Sequence, residues 1–255
     1  MLKTKQLFLE AHNGISALLI EKSKRKIDGI WVSSLTSSAV KGLPDTELLS
    51  LEDRVNLVAE IRRVSKKPIL VDIDTGGDER NLPYYVDWFE KAGAWGVVME
   101  DKKYPKQNSL LEGASHKVEE VDIFCEKIKK AKKKAKNLKI IARLESLIAK
   151  RSVYEALIRA DAYQEAGADA ILIHSKSKVS ADEVMEFARK FREKSKLPLV
   201  AIPTTYTLPK DNPFDIIILA NQMFRASFRA MKDYLEGKNN NLADVEEIFK
   251  ITNQC

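Results

Sequence analysis

Three carboxylates stand in the sequence where two successive apolar segments end. Asp72 and Asp74 follow one such segment and Glu100 follows the next. Residues 72 and 74 are expected to point to the same side of a strand, because side chains alternate along it. Converging carboxylates raise one another's pKa, and a hard divalent cation such as Mg²⁺ relieves the repulsion through oxygen ligands. These residues are therefore candidate Mg²⁺ ligands; the alternative is that they pair with Arg143 or with nearby lysines.

Positive charge stands close to the same segments, at Lys102, Lys106 and Arg143. A site that combines cations with a metal suits an anionic substrate, such as a phosphoryl or carboxylate compound. Arginine grips such a group with two parallel hydrogen bonds, whereas lysine acts as a point charge. The stretch 103–115 is polar and rich in turn residues, which indicates either a mobile loop over the site or a solvated surface loop. From pattern alone, His174 is expected to be structural.

Eight short apolar segments, rich in β-branched residues, alternate with longer helical stretches. The predicted strands are residues 7–11, 29–33, 69–74, 96–101, 140–146, 170–175, 199–203 and 216–221. Stretches such as 47–65 and 153–166 show the apolar spacing of amphipathic helices. This alternation predicts an α/β fold, a closed (β/α)8 TIM barrel, whose chemistry gathers at the carboxyl ends of the strands.

An open, doubly wound sheet is the competing architecture. Such a sheet normally carries a glycine-rich phosphate turn after an early strand, and Thr-Gly-Gly-Asp at 75–78 does not match one. No break in composition divides the chain, so residues 1–255 are expected to form one domain. Residues 222–255 exceed what barrel closure requires. They are predicted to form a C-terminal helical extension, with helices over 222–235 and 242–250 around a turn at 237–241, that covers a neighbouring subunit.

The composition is that of an ordinary globular protein, with 255 residues, 44% hydrophobic and 31% charged, and a net charge of +6. The excess charge is concentrated in residues 127–139, which contain eight lysines and no acid. We interpret this stretch as one helix with a solvated face; polyanion binding is the alternative. A basic surface with interleaved aromatic residues is not evident, so no nucleic-acid partner is expected.

The chain has no apolar segment long enough to span a membrane, so no membrane partner is expected. Its two cysteines, Cys125 and Cys255, form no disulfide framework and no zinc motif. A reducing, cytoplasmic location is therefore predicted.

Residues 100–110 have the sequence E-D-K-K-Y-P-K-Q-N-S-L, which resembles the E-D-K-x-x-x-K-x-N-S-L motif of the phosphoenolpyruvate mutase family. This family belongs to the isocitrate lyase/phosphoenolpyruvate mutase superfamily. The resemblance extends over most of the chain and includes E-A-H-N-G at 10–14, G-I-W at 29–31, D-I-D-T-G at 72–76, A-R at 142–143, G-A-D-A at 167–170 and H-S-K at 174–176.

The resemblance implies a fold, an assembly and a reaction. Members are (β/α)8 barrels that swap C-terminal helices between subunits and assemble as homotetramers. They interconvert phosphoenolpyruvate and phosphonopyruvate with Mg²⁺, moving the phosphoryl group between the enol oxygen and carbon 3 and so forming the carbon–phosphorus bond of phosphonates. The small molecules phosphoenolpyruvate and phosphonopyruvate are thus the expected substrates.

The resemblance also implies roles for individual residues. Asp72 is expected to lie nearest the metal ion, and Asp74 and Glu100 are expected to hold the waters bound to it. The expected catalytic residues are Asp45, Lys106, Asn108 and Arg143, around the migrating phosphoryl group. Asp45 is the one expected to act as nucleophile or to stabilise that group. Among the expected substrate-binding residues, Trp31 forms an apolar wall, and Ser33, Ser34 and Leu35 donate to the pyruvyl carboxylate and oxygen. His174 contacts the phosphoryl group, and Ser109 and Leu110 lie on the gating loop.

The alternatives to the mutase that stay open are phosphonopyruvate hydrolase, a non-hydrolytic decarboxylase or acylphosphonate-type relative, and a non-catalytic barrel, whereas a lyase is disfavoured. Phosphonopyruvate hydrolase, which gives pyruvate and phosphate, has threonine where the mutase loop has asparagine, and Asn108 favours the mutase. The lyase branch needs a cysteine in this loop, and here residues 106–109 are K-Q-N-S. A non-catalytic anion-binding barrel is less consistent with the intact acids. Val32, Ser34 and the pair 77–78 depart from the usual mutase residues, so the backbone next to the substrate is expected to differ.

Overall fold

The computed structural model describes residues 5–238 and 241–252. Eight parallel strands close into a barrel in chain order, with the first strand paired to the last. The strands are β1 (Gln6–Glu10), β2 (Gly29–Val32), β3 (Ile69–Asp72), β4 (Gly96–Glu100), β5 (Lys139–Leu144), β6 (Ala170–Ile173), β7 (Leu199–Ala201) and β8 (Ile216–Leu219). The predicted TIM barrel is confirmed.

The described helices cover the outside of the barrel and continue beyond its last strand. They are α1 (Gly14–Lys22), α2 (Ser34–Val40), α3 (Leu51–Val64), α4 (Leu82–Ala92), α5 (Val121–Lys134), α6 (Val153–Glu165), α7 (Asp182–Lys194), α8 (Gln222–Leu235) and α9 (Val245–Thr252). None of them combines the length and the apolarity needed to span a lipid bilayer.

Two apolar layers hold the barrel together. Side chains from alternate strand positions fill the interior, among them Phe8, Trp31 and Leu70, and the opposite strand faces pack against the helices. Gly29 of β2 leaves room for the Phe8 ring, since a Cβ at position 29 would lie 2.3 Å from that ring. The interior is thus a packed core that closes the bottom of any cavity at the strand ends.

The predicted elements overrun the observed ones where a cap or a turn intervenes. The predicted helix 47–65 begins only at Leu51, because Ser50 caps it by accepting a hydrogen bond from the Asp53 amide at 3.1 Å. The predicted strand 69–74 ends at Asp72, because the chain turns there and Asp74 adopts a left-handed conformation with φ of 53°.

The connection from β7 to β8 contains no helix in residues 202–215, all of which the structure describes. Prolines at 203, 209 and 213 remove backbone donors from this stretch, which makes a continuous helix unfavourable. The strands still pair in register, Val200 with Ile216. The barrel therefore closes although one of its eight covering helices is missing.

The C-terminal helices lie on the barrel beside β1 and α1. Glu10 at the end of β1 accepts a hydrogen bond from the Phe224 amide at the start of α8, at 2.9 Å. The predicted helix 222–235 is present, and the one predicted over 242–250 spans Val245–Thr252. Of the predicted turn 237–241, residues 239 and 240 lie outside the described residues, as does Cys255.

Candidate active site

The carboxyl ends of the strands surround a polar cavity of about 40 Å³. With the exceptions of Asp74 and Lys102, every residue that the sequence analysis proposed for the site lines this cavity: Trp31, Ser33, Ser34, Leu35, Asp45, Asp72, Glu100, Lys106, Asn108, Ser109, Leu110, Arg143 and His174. Ile202, Thr204, Ala220 and Asn221 complete the lining.

Asp72, Asp74 and Glu100 converge at one side of the cavity. Each offers a buried carboxylate oxygen, and these oxygens lie within 4.8 Å of one another. The strand alternation that predicted this convergence is wrong for Asp74, which lies beyond β3. Its left-handed backbone turns the carboxylate back toward its two neighbours instead.

The electrostatic environment divides the three acids. Burial raises the pKa of Asp72 to about 7, although Arg143 opposes the shift. Burial also favours the protonated forms of Asp74 and Glu100, but cations outweigh it there. Arg54 and Lys106 hold the pKa of Asp74 below its usual range, and Arg143 and Lys102 lower that of Glu100.

The donor set fits a hard divalent cation. Carboxylate oxygens are ligands that Mg²⁺ prefers. Both carboxylate oxygens of Glu100 and of Asp74 are buried without a well-directed hydrogen bond from any described residue. Buried polar atoms normally have such partners, and a bound cation would satisfy them. The alternative, pairing with cations, is also present for all three acids. Arg143 Nη1 lies 3.2 Å from Asp72 Oδ2 and 3.0 Å from Glu100 Oε1, and Lys106 Nζ lies 2.9 Å from Asp74 Oδ1.

Arg143 connects the metal-side acids to the rest of the cavity. Its Nη1 donates to Asp72 Oδ2 at 3.2 Å, and its Nε donates to Glu145 Oε1 at 2.7 Å. Nδ1 of His174 lies 2.8 Å from both Arg143 Nη2 and Glu145 Oε1. Burial and the charge of Arg143 lower the pKa of His174, so that its ring is neutral at neutral pH.

Asp45 meets Lys106 and Asn108 next to these acids, where the stretch after β4 covers the cavity. Lys106 Nζ lies 3.1 Å from Asp45 Oδ2 and 2.9 Å from Asp74 Oδ1. The Asn108 amide donates to Asp45 Oδ2 at 2.6 Å. Ser34, one of the departures from the usual mutase residues, donates to Asp72 Oδ2 at 3.1 Å and accepts from Lys106 Nζ at 3.2 Å. The departure therefore adds a polar bridge across the cavity.

Around the cavity, the described residues include five buried carboxylates and four buried cations. The carboxylates are Asp45, Asp72, Asp74, Glu100 and Glu145, and the cations are Arg54, Lys102, Lys106 and Arg143. Charges desolvated to this degree persist only when they compensate one another closely. A divalent metal together with a multiply charged anion adds charge of both signs, which such a balanced cluster can accommodate.

Several residues of this cluster do not follow from the sequence analysis. Arg54 on α3 is fully buried; it contacts Asp74 Oδ2, and its Nη1 donates to the Asp72 carbonyl at 3.1 Å. Its sequence signal is an arginine in the apolar stripe of α3, between Leu51 and Val58. The signal for Glu47 is weaker, because its contacts come from loops distant in sequence.

The interpretation of residues 127–139 as one solvated helix is wrong in two respects. Helix α5 ends at Lys134, and Lys139 already belongs to β5. Lys127 is buried, and its Nζ donates to the carbonyls of Thr75 at 3.0 Å and Gly77 at 3.2 Å. Helix periodicity turns this one lysine inward, where it supports the turn that follows Asp74.

The sequence model of the phosphoenolpyruvate phosphomutase family matches residues 2–237. A phosphoenolpyruvate phosphomutase from Tetrahymena pyriformis is 35% identical, over 98% of this chain and 88% of its own length. A phosphonopyruvate hydrolase from Variovorax sp. (strain Pal2) is 36% identical, over 88% of this chain and 79% of its own. More distant relatives include 2-methylisocitrate lyases, such as one from Bacillus subtilis that is 32% identical over 77% of this chain and 62% of its own.

Solved structures give the same result. A phosphoenolpyruvate phosphomutase from Streptomyces platensis subsp. rosaceus superimposes with a TM-score of 0.90 at 32% identity, covering 98% of this chain and 91% of the other. A phosphonopyruvate hydrolase in complex with oxalate and Mg²⁺ superimposes with a TM-score of 0.86 at 33% identity, over 98% and 90%. These proteins have the same fold over nearly the whole of this chain.

Proposed function

The chain belongs to the phosphoenolpyruvate phosphomutase family, and on that premise we propose that it is an isomerase that interconverts phosphoenolpyruvate and phosphonopyruvate. The observation that carries the proposal is the convergence of Asp45, Lys106 and Asn108 above the three metal-side acids, within one buried cavity. That arrangement places cationic and amide donors next to the proposed metal site, as transfer of an anionic phosphoryl group requires.

The proposed metal site consists of Asp72, Asp74 and Glu100, and the proposed ion is Mg²⁺. A hydrolase relative of the same fold contains Mg²⁺ in its crystal structure, and the donor set here is of the type that this ion prefers. When bound, the ion would stabilise negative charge on the pyruvyl oxygens as the phosphoryl group leaves.

The substrate is proposed to lie between Trp31 and the first turn of α2. The backbone amides of Ser34 and Leu35 start this helix, and the first amides of a helix lack intrahelical partners. They can donate to the pyruvyl carboxylate and to the enol oxygen, with Ser33 adding its hydroxyl. These contacts hold the enolate of pyruvate in place after the oxygen–phosphorus bond breaks.

The phosphoryl group is proposed to face Arg143, His174, Lys106 and Asn108. Arginine can hold two phosphoryl oxygens at once, and Lys106 supplies a second positive charge. Asp45 lies 3.1 Å from Lys106 Nζ and accepts from Asn108, so its oxygens are oriented within the cavity to receive or stabilise the moving group. Ser109 and Leu110 complete the cover, which must exclude water while the phosphoryl group moves.

Phosphonopyruvate hydrolysis is the second candidate, because the Variovorax hydrolase is as similar in sequence as the Tetrahymena mutase. Asn108 favours the mutase. Its side chain donates to Asp45 and accepts from the backbone amide of Leu110, so it holds this part of the cover against Asp45. Lyase activity is disfavoured because Cys125 lies on α5, where its thiol donates to the Ala162 carbonyl.

Phosphorus NMR of the purified protein with Mg²⁺ and phosphonopyruvate tests the proposal. We expect the carbon-bonded phosphorus signal to convert to the ester signal of phosphoenolpyruvate. Pyruvate and inorganic phosphate as the main products would establish the hydrolase instead. No conversion of phosphonopyruvate under these conditions would contradict both activities.

The assembly is proposed to be a homotetramer in which α8 and α9 cover neighbouring subunits. Neither helix buries a residue in the single chain, and Phe228, Leu235 and Val245 leave more than half of their surface exposed. Exposed apolar surface of this extent is typical of an interaction site.

A further inference from the structure

Glu47 is a half-buried acid that stands outside the cavity, between two of the loops that border it. It belongs to the segment 41–50, which joins α2 to α3, two residues after Asp45. Its backbone adopts φ of 60°, a conformation that a residue with a side chain rarely takes without compensation. Such a conformation persists where surrounding contacts impose it, and at Glu47 these are the hydrogen bonds of the side-chain carboxylate.

The Glu47 carboxylate divides its two oxygens between two loops. Oε1 accepts from the amide of Thr75 at 3.0 Å and from its hydroxyl at 2.7 Å, and Thr75 follows Asp74 directly. Oε2 accepts from the amide of Lys106 at 2.7 Å, within the stretch that covers the cavity. Hydrogen bonds to a charged acceptor are the stronger ones, so this carboxylate joins the two loops firmly.

The position of the Lys106 backbone decides what its neighbours reach. From this position Lys106 Nζ reaches both Asp45 and Asp74, and Asn108, two residues on, reaches Asp45. Glu47 itself is absent from the cavity lining, so it acts on the cavity through Lys106. A shift of about 1 Å in such a cover is enough to disturb a reacting geometry.

We propose that Glu47 is a positioning residue that fastens the covering loop, through the Lys106 amide, to the metal end of β3. Fastened in this way, the loop keeps water from the phosphoryl group during transfer; this second part rests on the proposed function. Without the carboxylate, the loop spends more time displaced and admits water. The water oxygen then bonds to phosphorus as the bond between phosphorus and the pyruvyl group breaks, and a proton from that water goes to carbon 3 of the enolate, which releases phosphate and pyruvate.

The test compares Glu47→Ala and Glu47→Gln with Glu52→Ala and Glu52→Gln. Glu52 is an exposed acid in the first turn of α3, on the same stretch of chain. Thermal unfolding verifies that each variant is folded, and the isosteric glutamine keeps the test valid if the alanine variant is unstable.

Limited trypsin cleavage after Lys106 measures displacement of the loop without any reaction, since this side chain is buried in place. We expect cleavage of Glu47→Ala to be about tenfold faster than that of the wild type, and that of Glu47→Gln to be intermediate, because an amide oxygen can still accept from one loop. Rates equal to those of the Glu52 variants would overturn the proposal, whichever reaction the enzyme catalyses.

Phosphorus NMR of the same proteins tests the second part. We expect Glu47→Ala to lower kcat and to raise the share of phosphate and pyruvate among the products about tenfold, with a smaller change in KM. Faster cleavage with an unchanged product ratio would overturn the exclusion of water. If the wild type itself forms no phosphoenolpyruvate, the proposed function fails, and the cleavage rates still decide whether Glu47 holds the loop.

Discussion

At the scale of single residues, the cavity depends on side chains that each serve several partners. Arg143 illustrates this, because its planar group bonds Asp72 and Glu145 and lies beside His174. A side chain that matched Arg143 only in charge, or only in length, could not make all of these contacts. A substitution that keeps the charge and changes the shape therefore separates positioning from electrostatics.

We predict that Arg143→Lys lowers kcat about 100-fold, because a lysine cannot contact Asp72, Glu145 and His174 together. The measurement is steady-state conversion of phosphonopyruvate, with thermal unfolding as a check of the fold. Arg151→Lys, at an exposed ion pair with Glu155, is the matched control and should retain wild-type rates. Equal rates for the two variants would show that Arg143 contributes charge only.

We predict that Asn108→Thr shifts the products toward pyruvate and phosphate. The asparagine donates to Asp45 at 2.6 Å and accepts from the Leu110 amide at 2.8 Å, and the shorter threonine cannot span both. Phosphorus NMR gives the product ratio, for which we expect at least about a tenfold change, the scale of one charged hydrogen bond. An unchanged ratio would remove Asn108 as the residue that distinguishes the two activities.

At the scale of elements, the sequence predicts what depends on local pattern. The eight strands follow from short β-branched segments, and α6 from its amphipathic spacing, because both report burial of a repeating apolar face. The closeness of the metal-side acids also follows, since strands of a barrel end at one rim. The predicted placement of Asp72 and Asp74 on the same strand does not follow, because Asp74 reaches the cluster by a backbone turn.

The buried charges of the helices are the part that local pattern does not predict. A lysine or arginine on a helix is normally solvated, so periodicity alone gives Arg54 and Lys127 no partners. Their partners are Asp74, the Asp72 carbonyl at the end of β3, and the Thr75 and Gly77 carbonyls in the loop that follows. Only the packing of helices on the barrel brings these groups together.

We predict that Lys127→Met destabilises the protein by about 2–3 kcal/mol, because it leaves two loop carbonyls without their charged donor. Chemical denaturation measures the free energy of unfolding. Lys133→Met, on the exposed face of the same helix, should change it by less than about 0.5 kcal/mol. Similar values for both variants would return Lys127 to the solvated face that we first assigned to this stretch.

At the scale of the whole molecule, the apolar surface of α8 and α9 predicts association. We expect light scattering to show a tetramer, and Phe228→Asp with Leu235→Asp to reduce the assembly to smaller species, because charge in an apolar interface is costly. The matched control is Val179→Asp, at a residue that is 95% exposed near the barrel mouth. A wild-type monomer in solution would contradict the proposed role of the two helices.

Closure of the barrel joins β1 to β8, and the bond from the Phe224 amide to Glu10 spans 214 residues of chain. A ribosome adds about 5–20 residues per second, so β1 emerges well before the strand that completes its pairing. Until then one edge of the growing sheet is free to pair with other chains. The order of translation therefore leaves this edge unpaired until β8 has been made, and the rim that aligns the acids of β3 and β4 is completed only then.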